Sequence, residues 1–191
     1  MHQRPWRINP SFSPLKGPAV ISDLPHVTLV LGGARSGKSR YAEQILTQGH
    51  RPPWTYIATA QALDDEMRDR IAEHQRRRAP GWQTVEAPID LAGALADAAD
   101  TPALVDCLTL WLTNLMLGDR DIEAATDALD SALKARAAPT VLVANEVGLG
   151  IVPESKLGRL FRDEAGRLNQ RLAAKAGRVL FMVAGISMTV K

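Results

Sequence analysis

The chain has 191 residues, 46% apolar and 23% charged, which fits one globular domain and excludes a disordered, collagenous or coiled-coil polypeptide. A net charge of +2 excludes a strongly basic coat for nucleic acid. The lone cysteine, Cys107, excludes an intrachain disulfide or a cysteine zinc site and suits a reducing, cytoplasmic setting.

Residues 1–26 hold Pro5, Pro10, Pro14, Pro18 and Pro25 and no helix or strand periodicity. They also lack the unbroken apolar core of a secretory signal, and are expected to form an arm ahead of a single domain at 27–191. Arg4, Arg7 and Lys16 outnumber Asp23 there, so the domain itself sums to zero charge. No apolar run reaches the ~20 residues of a membrane helix, so no stable membrane insertion is expected. Apolar runs at Val27–Leu31, Thr55–Ala58, Ala103–Asp106, Thr140–Ala144 and Arg178–Val183 read as strands buried on both faces. Helical patterns fall between them, near 38–48, 62–78, 90–100, 108–117, 121–137 and 154–176. This alternation predicts an α/β fold with a mainly parallel central sheet wrapped by helices. Ligands in such folds lie beyond the carboxyl ends of the strands.

The first strand runs into Gly32-Gly33-Ala34-Arg35-Ser36-Gly37-Lys38-Ser39, a G-x-x-x-x-G-K-[ST] loop opening a helix. Small residues let backbone N–H groups wrap a phosphate, and the helix N-terminus faces the same anion. Lys38 then reaches the terminal phosphates, and the Ser39 hydroxyl is a Mg²⁺ ligand. The fold is accordingly expected to be a phosphate-loop NTPase of the RecA-like kind. Asp106 closes the run ALVD and is the candidate acid for Mg²⁺. It serves equally well as the N-cap of the helix that follows.

Along 61–78, Leu63, Met67, Ile71 and His74 form one helical stripe. The bland reading is an amphipathic helix with a histidine at its edge. Arg70, Arg77 and Arg78 nevertheless flank His74 on its own face. Such cations bind phosphates and keep the imidazole neutral, the form that attacks phosphorus.

LVLGGARSGKSRYAE, YIATAQALDDEMRDRIAEHQRRRAPGW, ALVDCLTLWLTNLM and VLVANEVGLGIVPESKLGRLFRDEAGRLNQRLA together resemble the bifunctional adenosylcobinamide kinase / adenosylcobinamide-phosphate guanylyltransferase family of cobalamin biosynthesis. The resemblance implies phosphorylation of adenosylcobinamide by ATP or GTP, followed by transfer of GMP from GTP. It further implies that the GMP passes through a covalent bond to His74, the last position of R-I-x-x-H. It also implies nucleotide contacts at Gly32–Ser39, Ala58, Thr59, Ala60, Gln75, Arg76, Arg77, Arg78, Glu86 and Asp106. Glu86 would accept hydrogen bonds from guanine N1 and N2, or be no more than an exposed loop carboxylate. Asn145, Glu146, Gly148 and Gly150 form a candidate substrate loop. Glu146 would act on the substrate hydroxyl or Mg²⁺, or sit in the acidic first turn of a helix. A corrinoid is large for a domain of this size, so the pocket is expected between subunits of a homo-oligomer, a trimer among the options.

Two competing classes remain. A simple phosphate-loop kinase or ATPase would leave His74 idle. A GTP switch would need [NT]-K-x-D, which no lysine supplies, and its DxxG matches at Asp90–Gly93 and Asp163–Gly166 fall inside helical patterns.

Overall fold

The computed structural model describes residues 24–61, 65, 68, 72, 76 and 78–191. Most of the proline-rich arm therefore lies outside the described residues, as does most of the 62–78 segment. Of that segment, Asp65, Arg68, Ala72 and Arg76 are helical.

The strands are β1 (Val27–Gly32), β2 (Trp54–Ala58), β3 (Trp82–Glu86), β4 (Ala103–Asp106), β5 (Thr140–Asn145), β6 (Arg178–Val183) and β7 (Ile186–Thr189). The helices with described bounds are α1 (Lys38–Gly49), α2 (Leu91–Asp97), α3 (Leu108–Leu117), α4 (Ile122–Ala135) and α5 (Lys156–Lys175). One sheet runs in the order β3-β2-β4-β5-β1-β6-β7. All its pairs are parallel except β6 with β7.

The five expected strands are present, and two more lie at the sheet edges. β3, WQTVE, is exposed from Gln83 to Glu86, and β7, ISMT, is almost wholly exposed. Edge strands lack the continuous apolar run that marks an interior strand, which is why they escaped the sequence pattern. β7 is joined to β6 by a two-residue turn, with Ala184 at φ 51° and Gly185 at φ 80°. Positive φ at both central residues gives the twist that a tight hairpin requires.

Alternation along the strands divides the core. Leu29, Ile57, Val105, Leu142 and Val179 face one side, against α2, α3, α4 and α5. Val30, Tyr56, Leu104, Val143 and Met182 face the other, against Tyr41, Ala42, Ile45 and Leu46 of α1. Asp106 follows the parity of Leu104, and Asn145 that of Val143, so both point to the α1 side. That is also the side on which the loop after β1 delivers Lys38.

Arg136 locks the opposite edge. It is buried and donates to the carbonyls of Leu95, Ala98 and Thr101 and to Thr140 Oγ1, at 2.6–2.9 Å. Burial lowers its pKa from the ordinary value, but a guanidinium stays charged. Arg136→Met keeps the stem and strands three carbonyls, so it is expected to cost about 3 kcal/mol. Chemical denaturation at neutral pH measures that loss.

Candidate functional site

The loop between β1 and α1 is shaped by sterics. A Cβ on Gly32 would lie 2.6 Å from Ser36 Oγ and 2.8 Å from the Met182 carbonyl, so only glycine fits where the loop folds back over the strand. Arg35 and Gly37 adopt φ 56° and 92°, the left-handed turns that aim consecutive N–H groups into one concavity. Gly37 is the N-cap of α1. Lys38 is buried, and its Nζ donates to the Gly33 carbonyl at 3.0 Å across the loop. The β6–β7 turn braces the loop from behind, through a 3.0 Å bond from Gly185 N–H to the Ser36 carbonyl. Arg35 and Ala34 are exposed at the rim.

The neighbouring strand ends are tied together. Thr59 is fully buried; its hydroxyl donates to the Cys107 carbonyl (2.7 Å) and accepts from the Cys107 N–H (2.8 Å). Its own carbonyl accepts from Asn114 Nδ2. With its polar atoms so occupied, Thr59 fixes the turn between Ala58 and Ala60. The Ala58 carbonyl is likewise used, by the Ala87 N–H, whereas Ala60 is half-buried.

Asp106 ends β4, but it does not cap α3, whose N-cap is Cys107. Its Oδ2 instead accepts a 2.7 Å hydrogen bond from the Tyr56 hydroxyl. The capping alternative is thereby corrected, because the chain takes one more extended residue before the helix turns. Burial, then the Asp106 charge, pushes the Tyr56 phenol up from its ordinary value, so it remains a donor. Burial also pushes the Cys107 thiol up to about 11, which leaves it protonated and unreactive at neutral pH.

Asn145 closes β5 beside Gly32. Its N–H donates to Thr109 Oγ1 at 2.7 Å. Asn145 Oδ1 and Ser36 Oγ are buried without a hydrogen-bond partner among the described residues. Glu146 N–H donates to the Gly32 carbonyl at 3.0 Å, and the Glu146 carboxylate accepts from the Gly148 N–H. The helical-turn alternative for Glu146 is corrected, because α5 starts ten residues later, capped by Ser155. Glu146 therefore belongs to an open loop. That loop and the first turns of α5 expose Leu149, Ile151, Val152, Leu157 and Leu160; Ile151 is 97% accessible. Gly150 also faces open space.

On the far side of the site, Arg78 Cζ stands 3.6 Å over the Tyr56 ring, and Arg78 Nη1 donates to Thr84 Oγ1 at 2.6 Å. Glu86 is not in a loop but is the exposed last residue of β3, level with Ala58. Strands are spaced about 4.8 Å apart. Measured across the sheet, Asp106 is thus two strands, ~10 Å, from Gly32, and Glu86 is four, ~19 Å. Arg76 is exposed. His74, Gln75, Arg77 and Arg70 lie outside the described residues.

The switch-like DxxG matches have structural explanations. Asp90 caps α2 by accepting from Gly93 N–H at 2.9 Å, and Asp163–Gly166 lies inside α5. His26 bonds the Leu133 carbonyl, at the edge of the sheet away from the loop.

A family model described as cobinamide kinase / cobinamide phosphate guanyltransferase matches residues 28–190. The chain belongs to that family. Its members are cobalamin-biosynthesis transferases. A bifunctional adenosylcobalamin biosynthesis protein, CobP, from Pseudomonas aeruginosa is 48% identical over 85% of this chain and 96% of its own. The CobU proteins of Salmonella typhimurium and Escherichia coli are 43% and 45% identical, each over 85% of this chain and 98% of theirs. Among solved structures, the flagellar accessory protein FlaH of Methanocaldococcus jannaschii aligns over 90% of this chain and 81% of its own. Its TM-score is 0.52 at 10% identity, a likeness of fold alone. No helix among the described residues is long and apolar enough to cross a membrane.

Proposed function

We propose that the protein phosphorylates adenosylcobinamide with ATP or GTP and then transfers GMP from GTP to the product through a GMP–His74 bond. The observation that carries this reading is the single sheet edge. The phosphate loop follows β1, Glu86 ends β3 four strands away, and Arg78 lies over Tyr56 of β2 between them. An extended GTP suits that span, with terminal phosphates at Lys38, α-phosphate near the basic segment, and guanine at Glu86.

In the first reaction the substrate hydroxyl oxygen bonds to the γ-phosphorus, and the bridging oxygen leaves with the diphosphate. Lys38 and the loop N–H groups hold the charge on the transferring group. Glu146, on the open loop beside Gly32, accepts the hydroxyl proton. In the second, a neutral His74 nitrogen bonds to the α-phosphorus and pyrophosphate leaves, its charge held by Lys38. An oxygen of the corrinoid phosphate then attacks the same phosphorus and releases the histidine.

The Ser39 hydroxyl and the Asp106 carboxylate are hard oxygen donors that fit Mg²⁺. No cluster of three or more His, Cys, Asp or Glu exists among the described residues, so phosphates and waters would complete the shell. When bound, Mg²⁺ would neutralise phosphate charge.

Labelled GTP tests the reading. Label at the α position, but not at γ, should remain on the protein, survive alkali and be lost in acid. Equal retention of γ-label would overturn it.

The apolar loop beyond Asn145 is the proposed seat of the corrinoid, covered by a second copy of the chain. Several exposed apolar side chains close together in the chain, beside a polar site, suit such an interface. Light scattering is expected to give a homo-oligomer, a trimer among the options. A fully active monomer would contradict the covering subunit.

A further inference from the structure

We propose that Tyr56 is a positioning residue that joins the two halves of the site, its hydroxyl setting Asp106 and its ring seating Arg78. The inference rests on the reading of Asp106 as the acid at the metal–phosphate end, and deepens it.

Tyr56 is 4% exposed and packs in the apolar layer beneath α1. A phenylalanine would fill that volume as well, so packing does not explain the hydroxyl. Tyr56 pairs with Leu104 and Ala58 with Asp106, which makes Asp106 the diagonal neighbour of Tyr56. Such neighbours are within reach of an aromatic side chain. The 2.7 Å bond to Asp106 Oδ2 fixes the plane of a carboxylate that would otherwise rotate, so the other oxygen is presented in one direction. Partners that orient a metal-binding group in this way are commonly as important as the ligand itself.

The ring makes the second connection. Arg78 lies 3.6 Å over its centroid while bonded to Thr84, and Trp82 meets the same ring edge-on at 5.9 Å. A cation held over an aromatic face at this distance is attracted to it electrostatically. Asp106, Tyr56, Arg78 and Thr84 thus form one chain across β4, β2 and β3. The position of Arg78 is tied through it to the position of the acid.

The test uses Mn²⁺ as the probe, with a non-hydrolysable GTP analogue and the full-length protein. Mn²⁺ affinity is read by electron paramagnetic resonance, and analogue affinity is read with and without metal. Tyr56→Phe is expected to weaken Mn²⁺ binding about 10-fold while changing metal-free analogue affinity less than twofold. Asp106→Asn should show a comparable loss, and the double variant should lose no more than Asp106→Asn alone. Tyr56→Leu should in addition weaken metal-free analogue binding roughly 5-fold, through loss of the Arg78 seat. Wild-type Mn²⁺ affinity in Tyr56→Phe, or losses that multiply in the double variant, would overturn the role of the hydroxyl. Unchanged metal-free affinity in Tyr56→Leu would overturn the role of the ring. Wild-type Mn²⁺ affinity in Asp106→Asn is a separate failure, that of the underlying metal assignment. A thermal melt of Tyr56→Phe close to that of the wild type establishes that the fold is intact.

Discussion

His74→Asn should abolish GMP labelling of the protein and leave phosphorylation of adenosylcobinamide within a few-fold of wild type. Asparagine approximates the shape of the imidazole and retains hydrogen bonding, but has no nucleophilic nitrogen. The covalent route is then closed, and guanylyl transfer should fall by at least roughly 10³-fold. The kinase step makes no use of a covalent carrier, so the phosphorylated corrinoid should accumulate. This split distinguishes a nucleophile from a phosphate-binding group. A histidine that merely helped the neighbouring arginines hold phosphates would, when replaced, raise KM in both reactions. Parallel losses in the two activities, or α-label still bound to the variant, would therefore remove His74 from its role. Neutrality of the imidazole sets the pH dependence: adduct formation should decline as the solution is acidified and the nitrogen takes up a proton.

What the sequence made legible follows from how local each signal is. The phosphate loop was legible because its spacing is contiguous, and Gly32 and Gly37 stand where the backbone admits nothing larger or turns left-handed. Interior strands were legible because burial on both faces leaves an unbroken apolar run. β3 and β7 were not: both are exposed edge strands, and the turn before β7 puts an alanine, Ala184, at positive φ, where Asn, Asp or Gly would have signalled a hairpin. Asp106 was found as a strand end, yet its two roles could not be separated. The decision hangs on one extended residue, Cys107, and on a tyrosine fifty residues earlier in the chain. The braces Gly185–Ser36, Thr59–Cys107 and Thr109–Asn145 were out of reach for the same reason. Each joins residues brought together only by strand order and register, which depend on the whole sheet. Thr59, which the family resemblance implies as a nucleotide contact, is also a buried brace, a role its motif position does not reveal.

Lys38→Met should lower both activities, each by about 10²–10³-fold, in contrast to the one-sided effect at His74. Lys38 is only 8% exposed, and its ammonium is held over the loop by the Gly33 carbonyl. Methionine retains the apolar stem, so packing of α1 against β1 is preserved. Its melting temperature without nucleotide should therefore stay close to that of the wild type. The loss should appear instead in the stabilisation that nucleotide confers, which for a site at 100 times its Kd is about 2.7 kcal/mol. One loop serving both reactions requires that the same lysine hold the γ-phosphoryl group in the first and the departing pyrophosphate in the second. A Lys38→Met protein that had lost phosphorylation but formed its GMP adduct at the wild-type rate would break that requirement. The triphosphate would then be held for guanylyl transfer by the basic segment alone, and the sheet edge would carry two nucleotide sites instead of one.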